Sequence, residues 1–239
     1  MPYYYYGFDW TYLVIVLPCL ILSMLASSSV NSTFNKYAKV NSIRRLTGAD
    51  AAQRVLSANG VRGVRIERVS GNLTDHYDPK TNVIRLSDSV YGSTSVAAIG
   101  VAAHEAGHAV QYAQNYGPIK VRAAIIPITN LGSKLAMPLI LAGIVLSFLG
   151  TFSNTLVYLG ILAFSLSIVF QLVTLPVEFN ASRRAMEAIE TAGLLTHEEQ
   201  QGARKTLKAA AMTYVAATAV AVAQVVRLLV LFGGRRRRD

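Results

Sequence analysis

Read as a string of apolar and polar positions, the chain divides at once. Three stretches lack charge and approach the length of a bilayer crossing: Trp10 to Ala26, Leu135 to Gly150 and Leu156 to Val177. Only "TFSNT" separates the second from the third, which predicts a membrane hairpin. A fourth, Ala-rich stretch, Ala209 to Phe232, is long enough but carries Arg227, with Gln224 one turn away. Arginine is costly in lipid, so this segment is expected to be membrane-embedded with Arg227 paired, in a cavity or snorkelling; whether it spans stays open. Pro18 and Pro138 fall inside spans, where proline is tolerated better than in soluble helices.

Between the first stretch and the hairpin the periodicity changes. "TGADAAQRVLSANG" predicts a helix with Thr47 as N-cap, Asp50 three residues on, and Asn59-Gly60 as the stop. Residues 63 to 71 alternate Val64, Ile66 and Arg68 against Arg65 and Glu67, the period of a strand. Asp78-Pro79 starts a turn, Val83 to Leu86 is a short strand, and Ser93 to Tyr116 forms a longer helix. That order is an α+β module. The fold class is therefore a predominantly α-helical polytopic membrane protein with a small α+β module. Its expected parts are an anchor (1–35), a soluble part (36–134), a membrane hairpin (135–177), a helix (178–208) and a membrane-embedded helix with a basic tail (209–239).

The composition agrees: of 239 residues 52% are hydrophobic, too many for an ordinary soluble domain of this length. No lysine or arginine precedes the first span, so it reads as a retained anchor, with the tyrosines of "MPYYYYGFD" at the interface. The single Cys19 excludes an intramolecular disulfide and lies inside that span. The net charge of +10 is spread over membrane-flanking segments without aromatic interleaving, which argues against nucleic acid as a partner. "RRRR" at 235–238 is read as a contact with the lipid surface. Lys36, Lys39, Arg44 and Arg45 follow the first span, which places residues 36 to 134 in the cytoplasm; the terminal arginines disagree if the fourth segment spans.

Chemistry concentrates in "VAAHEAGHAV", residues 101 to 110. On a helix, His104 and His108 stand one above the other and can reach one ion, with Glu105 placed as general base. The flanking alanines offer no hydrogen-bond partner for two buried imidazoles, so a metal is the better account. Gly107 costs roughly 1 kcal/mol against alanine in a helix, which suggests that another element comes close there. A third ligand is required for a hydrolytic site. The candidates are His76, His197 and the acids, of which Glu178 is best placed: it follows the hairpin on the same side, in a helix that starts at Pro176, with Ser182 and Ala185 on its face. Two imidazoles and a carboxylate favour zinc.

"AAHEAGHAVQ", "DHYDP", "LPVEFNASRRA" and "AAAMTYVAA" together resemble the YugP-type neutral zinc metallopeptidases, a family of bacterial membrane proteins, over nearly the whole chain. That family is distantly similar to membrane-bound gluzincin proteases of the heat-shock and CAAX-processing kind. The resemblance implies one zinc per chain held by His104, His108 and Glu178, with Glu105 as base. It departs at Ser182, where the distant group has an aspartate.

The expected activity is hydrolysis of peptide bonds at the membrane surface, on peptides or membrane proteins. His76, Tyr77, Arg183 and His197 are candidates for a second oxyanion donor or substrate contact. Residues Asn82 to Ser87 are the candidate edge strand for pairing with an extended substrate. Two other readings compete: an intramembrane site-2-like protease, since Ser95 to Val110 is apolar, and an inactive scaffold that retains the metal site.

Overall fold

The computed structural model describes residues 9–146 and 152–233. A short π-helical segment (Tyr12–Val16) leads into α1 (Leu17–Tyr37). Then follow α2 (Gly48–Ala58), β1 (Arg65–Val69), β2 (His76–Asp78), β3 (Val83–Ser87), α3 (Val96–Ala113), α4 (Gly117–Leu146), α5 (Phe152–Thr191) and α6 (His197–Gly233). The tyrosines at 3–6 and the arginines at 235–238 lie outside the described residues. Four helices, Tyr12–Tyr37, Gly117–Leu146, Asn154–Thr191 and His197–Gly233, are long and apolar enough to cross a membrane. The protein is a helical membrane protein with a small α+β module.

The residues form two compact units. One takes the described parts of 1–25, 122–173 and 214–239; the other takes 26–121 and 174–213. In the first, apolar side chains such as Val14, Val145, Leu162 and Val230 are more than half exposed, tolerable for a surface that faces lipid rather than water. Small residues bring α4 and α5 together: a Cβ on Gly132 would meet the Ala163 carbonyl at 2.9 Å, and one on Gly160 the Ala136 carbonyl at 2.8 Å. Ile140, Val157, Ile161 and Leu228 cluster where α4 ends, α5 begins and α6 ends. The Tyr158 hydroxyl donates to the Phe232 carbonyl at 3.2 Å. At the start of the chain's described part, Asp9 accepts from Arg227 Nε at 2.9 Å, and the guanidinium lies 5.3 Å from the Tyr12 ring centre. Arg227 is thus paired, and α6 ends beside the start of the first span.

The second unit is built on α3. Thr47 and Asp50 cap α2 reciprocally, the box expected from their spacing. Ser95 caps α3 by accepting from the Ala98 amide at 3.2 Å. Val55 and Leu56 of α2, Ile84 and Leu86 of β3, and the alanines of α3 share one core with Ile189, Leu194 and Leu207. The apolar character of α3 is therefore the character of a helix buried in a core.

Three expectations are corrected. The strand at 82–87 is no edge: the sheet order is β1-β3-β2, with β3 parallel to β1 and antiparallel to β2. Val83, Ile84, Leu86 and Ser87 are all fully buried, the near-continuous burial of a strand covered on both faces. Pro176 does not start a helix. It sits inside α5, so the second arm of the hairpin and the Glu178 segment are one continuous helix; the freed backbone group is tolerated in such long apolar helices. Glu178 is consequently mid-helix, where an N-terminal macrodipole cannot explain it. Finally, residues 178–208 are not one helix, since α5 ends at Thr191 and α6 begins at His197.

Candidate metal centre

The site starts from one close approach. A Cβ on Gly107 would lie 2.8 Å from the Ala181 carbonyl oxygen, so only glycine lets α3 and α5 come this near. Ala181 is one turn beyond Glu178, and the contact brings that carboxylate over the two imidazoles. Glu178 Oε2 lies 3.3 Å from His104 Nε2 and 3.5 Å from His108 Nε2. The histidine rings stand edge to face with centres 4.7 Å apart. Glu178 is 2% exposed and Glu105 and His108 are each 9% exposed, which makes an unshared charge here expensive.

The other imidazole nitrogens are held as well. His108 Nδ1 lies 3.0 Å from Gln111 Oε1, and His104 Nδ1 lies 3.1 Å from Ser182 Oγ. Each Nδ1 can donate to that oxygen, leaving both Nε2 lone pairs turned toward Glu178. Gln111 in turn donates through Nε2 to the Val177 carbonyl at 2.8 Å and to Asn180 Oδ1 at 2.9 Å. Arg184 fixes Asn180 by donating from Nε to the same Oδ1 at 2.7 Å.

This donor set fits a zinc ion. The three ligand atoms lie within 4.8 Å of one another. Bonds of about 2.0–2.2 Å in a tetrahedron separate ligand atoms by roughly 3.4 Å, close to both Nε2–Oε2 distances. The charge fits too. Burial alone would lower the His108 pKa, but the Glu178 hydrogen bond, the Glu105 and Glu178 charges and Gln111 together raise it above its ordinary value. Two carboxylates around two imidazoles thus favour positive charge, which a dication supplies.

The remaining candidates lie outside this group of three. His76 is exposed on β2, with Nδ1 2.9 Å from the Thr74 carbonyl. Tyr77 donates its hydroxyl to Asn82 Oδ1 at 2.8 Å and sets its ring 5.6 Å from that of Tyr112 on α3. Arg183 pairs with Glu187 at 2.7 Å, and His197 is exposed at the start of α6.

Sequence spacing alone passed over two residues. Gln111 follows His108 by three positions on one helix face, a signal available in the sequence. Asp75 precedes His76 and accepts from the Ser87 amide at 2.7 Å and the Ser87 hydroxyl at 2.9 Å. Burial, and secondarily the charge of Glu105, raise its pKa despite those bonds.

Two imidazoles from one helix and a carboxylate from another, with a glutamate next in sequence to the first imidazole, form a group that could hold a metal ion, in the ligand pattern of hydrolytic sites. Residues 12–233 match the family model described as "Putative neutral zinc metallopeptidase", and the chain belongs to that family. It is 44% identical to the "Putative membrane protease YugP" of Bacillus subtilis (strain 168) over 221 residues, 92% of this chain and 96% of the relative. No solved structure matches it.

Proposed function

We propose that the protein is a membrane-anchored zinc endopeptidase that hydrolyses peptide bonds at the membrane surface. The observation that carries this reading is the convergence of His104, His108 and Glu178 beside Glu105, with both Nδ1 atoms already held. His104, His108 and Glu178 would hold one zinc per chain. Bound there, zinc supplies Lewis-acid activation of a water and of the scissile carbonyl. The Glu105 carboxylate takes a proton from the attacking water and gives it to the nitrogen of the leaving amine. Gln111 and Ser182 keep the imidazoles in one tautomer throughout.

Extended substrate is best received by β2. With β3 central, β2 is an outermost strand, and Tyr77 packs it on the helix that carries the histidines. Orientation follows the positive charges. Lys36, Lys39, Arg44, Arg45, Lys120 and Arg122 lie in the sequence between the first apolar run and the second, and Arg183, Arg184, Arg204, Lys205 and Lys208 between the third and the fourth. The opposing run is only 235–238, which supports a cytoplasmic site.

The test is metal content of the detergent-purified protein beside Glu178→Ala and Glu105→Gln, with casein cleavage on the same samples. One zinc per chain, weakened in Glu178→Ala and retained by an inactive Glu105→Gln, is the expected result. Full zinc in Glu178→Ala would move the third ligand elsewhere. No zinc in the wild type after reloading would overturn the enzymatic reading in favour of a scaffold.

A further inference from the structure

A cleft of about 400 Å³ opens between α5 and α6 beside the metal centre, and no step of the chemistry above uses it. Phe179, Ser182, Arg183, Met186, Glu187 and Glu190 line it from α5, and Arg204, Leu207, Lys208 and Ala211 from α6. At 3.6 residues per turn, Phe179 and Met186 sit roughly 80–100° round α5 from Glu178, with Ser182 at the boundary between the two faces. Ser182 therefore belongs to both: it lines the cleft, and its Oγ lies 3.1 Å from His104. Ser182 is thus the residue that the cleft and the site share.

Its chemistry is two-part. Met186, Leu207 and Ala211 form a buried apolar floor, whereas Phe179 stands 47% exposed as a wall. On the rim Arg183 is neutralised by Glu187. Arg204 and Lys208 make no ion pair among the described residues, and the lining holds one further acid, Glu190. The rim keeps an excess of positive charge. Clefts that hold ligands run to roughly 300–1,000 Å³, so this one accommodates a bulky side chain with its neighbour, not a folded partner.

We propose that this cleft is the specificity subsite of the endopeptidase: it takes a large apolar side chain next to the scissile bond, and Arg204 and Lys208 select an acidic residue beside it. This rests on the peptidase reading above. Peptide, rather than lipid, is favoured because a residue of the cleft, Ser182, is in contact with His104 of the site.

The experiment digests a degenerate peptide mixture with the full-length, zinc-loaded protein in detergent and maps the cleavage sites by mass spectrometry. The wild type is expected to enrich Phe, Leu or Met at one position next to the cut and Asp or Glu at the following one. Phe179→Ala, at an exposed position, should lower kcat/KM for bulky-residue peptides by about tenfold or more while sparing peptides with alanine there. Arg204→Glu with Lys208→Glu should turn the acidic preference to a basic one. Unchanged profiles, or equal losses on all peptides with zinc retained, would overturn the proposal. So would an unchanged profile together with loss of co-purifying anionic lipid, which would make the cleft a lipid site. A parallel measurement separates the two readings: anisotropy of a labelled bulky–acidic peptide on Glu105→Gln. If the wild type holds zinc and cuts nothing, the peptidase reading fails. Binding that Phe179→Ala then weakens would still support the cleft as the peptide site, and undetectable binding would overturn that as well.

Discussion

Gln111 receives the His108 imidazole on its carbonyl oxygen at 3.0 Å and, through its amide nitrogen, grips α5 at Val177 and Asn180. One fully buried side chain thus orients a ligand from α3 and ties it to the helix that brings the carboxylate. Gln111→Leu removes both functions. Zinc affinity should fall about 10–100-fold, the usual cost of losing a partner that orients a ligand. Stability should fall by about 1–3 kcal/mol, because the His108 Nδ1–H is left buried without its acceptor. Competition with a chromophoric chelator and thermal unfolding measure the two effects; unchanged affinity would show that His108 orients itself.

The Ser182 hydroxyl lies 3.1 Å from His104 Nδ1, on the ring nitrogen that is turned away from Glu178. Ser182→Ala is expected to weaken zinc about tenfold. Ser182→Asp should restore the affinity or exceed it, since a carboxylate is the stronger acceptor. If alanine and aspartate behave alike, the Ser182–His104 contact carries no function.

Asp9 and Arg227 pair across 218 positions of sequence, with side chains 33% and 22% exposed. Removing the acid alone leaves a cation in an apolar helix. Asp9→Ala should destabilise the detergent-solubilised protein by roughly 1–2 kcal/mol, below the cost at a fully buried pair because of that exposure. Adding Arg227→Leu should recover most of the loss, because no unpaired charge remains. Thermal aggregation midpoints of the three proteins decide it: a double variant no better than Asp9→Ala would mean that the pair is not what matters.

Asp78 gives the module a defined acid response. Hydrogen bonds from the Thr81 hydroxyl, the Lys80 amide and Arg85 hold its pKa down at about 2. The folded value lies below the unfolded one near 3.8, so the stabilisation is present above pH 4 and is lost as pH falls through about 2. The unfolding temperature of the wild type should exceed that of Asp78→Asn at neutral pH. The gap should narrow steadily below pH 4; a gap independent of pH would assign the difference to geometry rather than charge.

Much of this architecture was legible in one dimension because it rests on local repeats. The length of an apolar run sets whether a helix can cross a bilayer, and an apolar run marked each of the four long helices, but not its extent: α4 begins at Gly117, inside the part expected to be soluble, and α5 continues past Val177 to Thr191. The four-residue spacing of His104 and His108 fixed their shared face, Thr47 with Asp50 fixed a helix start, and Asp78 fixed a turn. Gly107, costly inside a helix, signalled a close neighbour without saying which one. What lay beyond local spacing was the partner. That Ala181 fills the space at Gly107, that β3 lies between β1 and β2, and that Asp9 meets Arg227 follow from which surfaces pack together. Glu178 shows both sides of this. Its position after the hairpin made it the best candidate, but only the continuous α5, passing through Pro176 and pressed against Gly107, sets its oxygen 3.3 Å from His104. Helical and strand periods act over a few residues and are written in the sequence. Contacts between distant segments are chosen by burial and fit, and those exist only once the chain has packed.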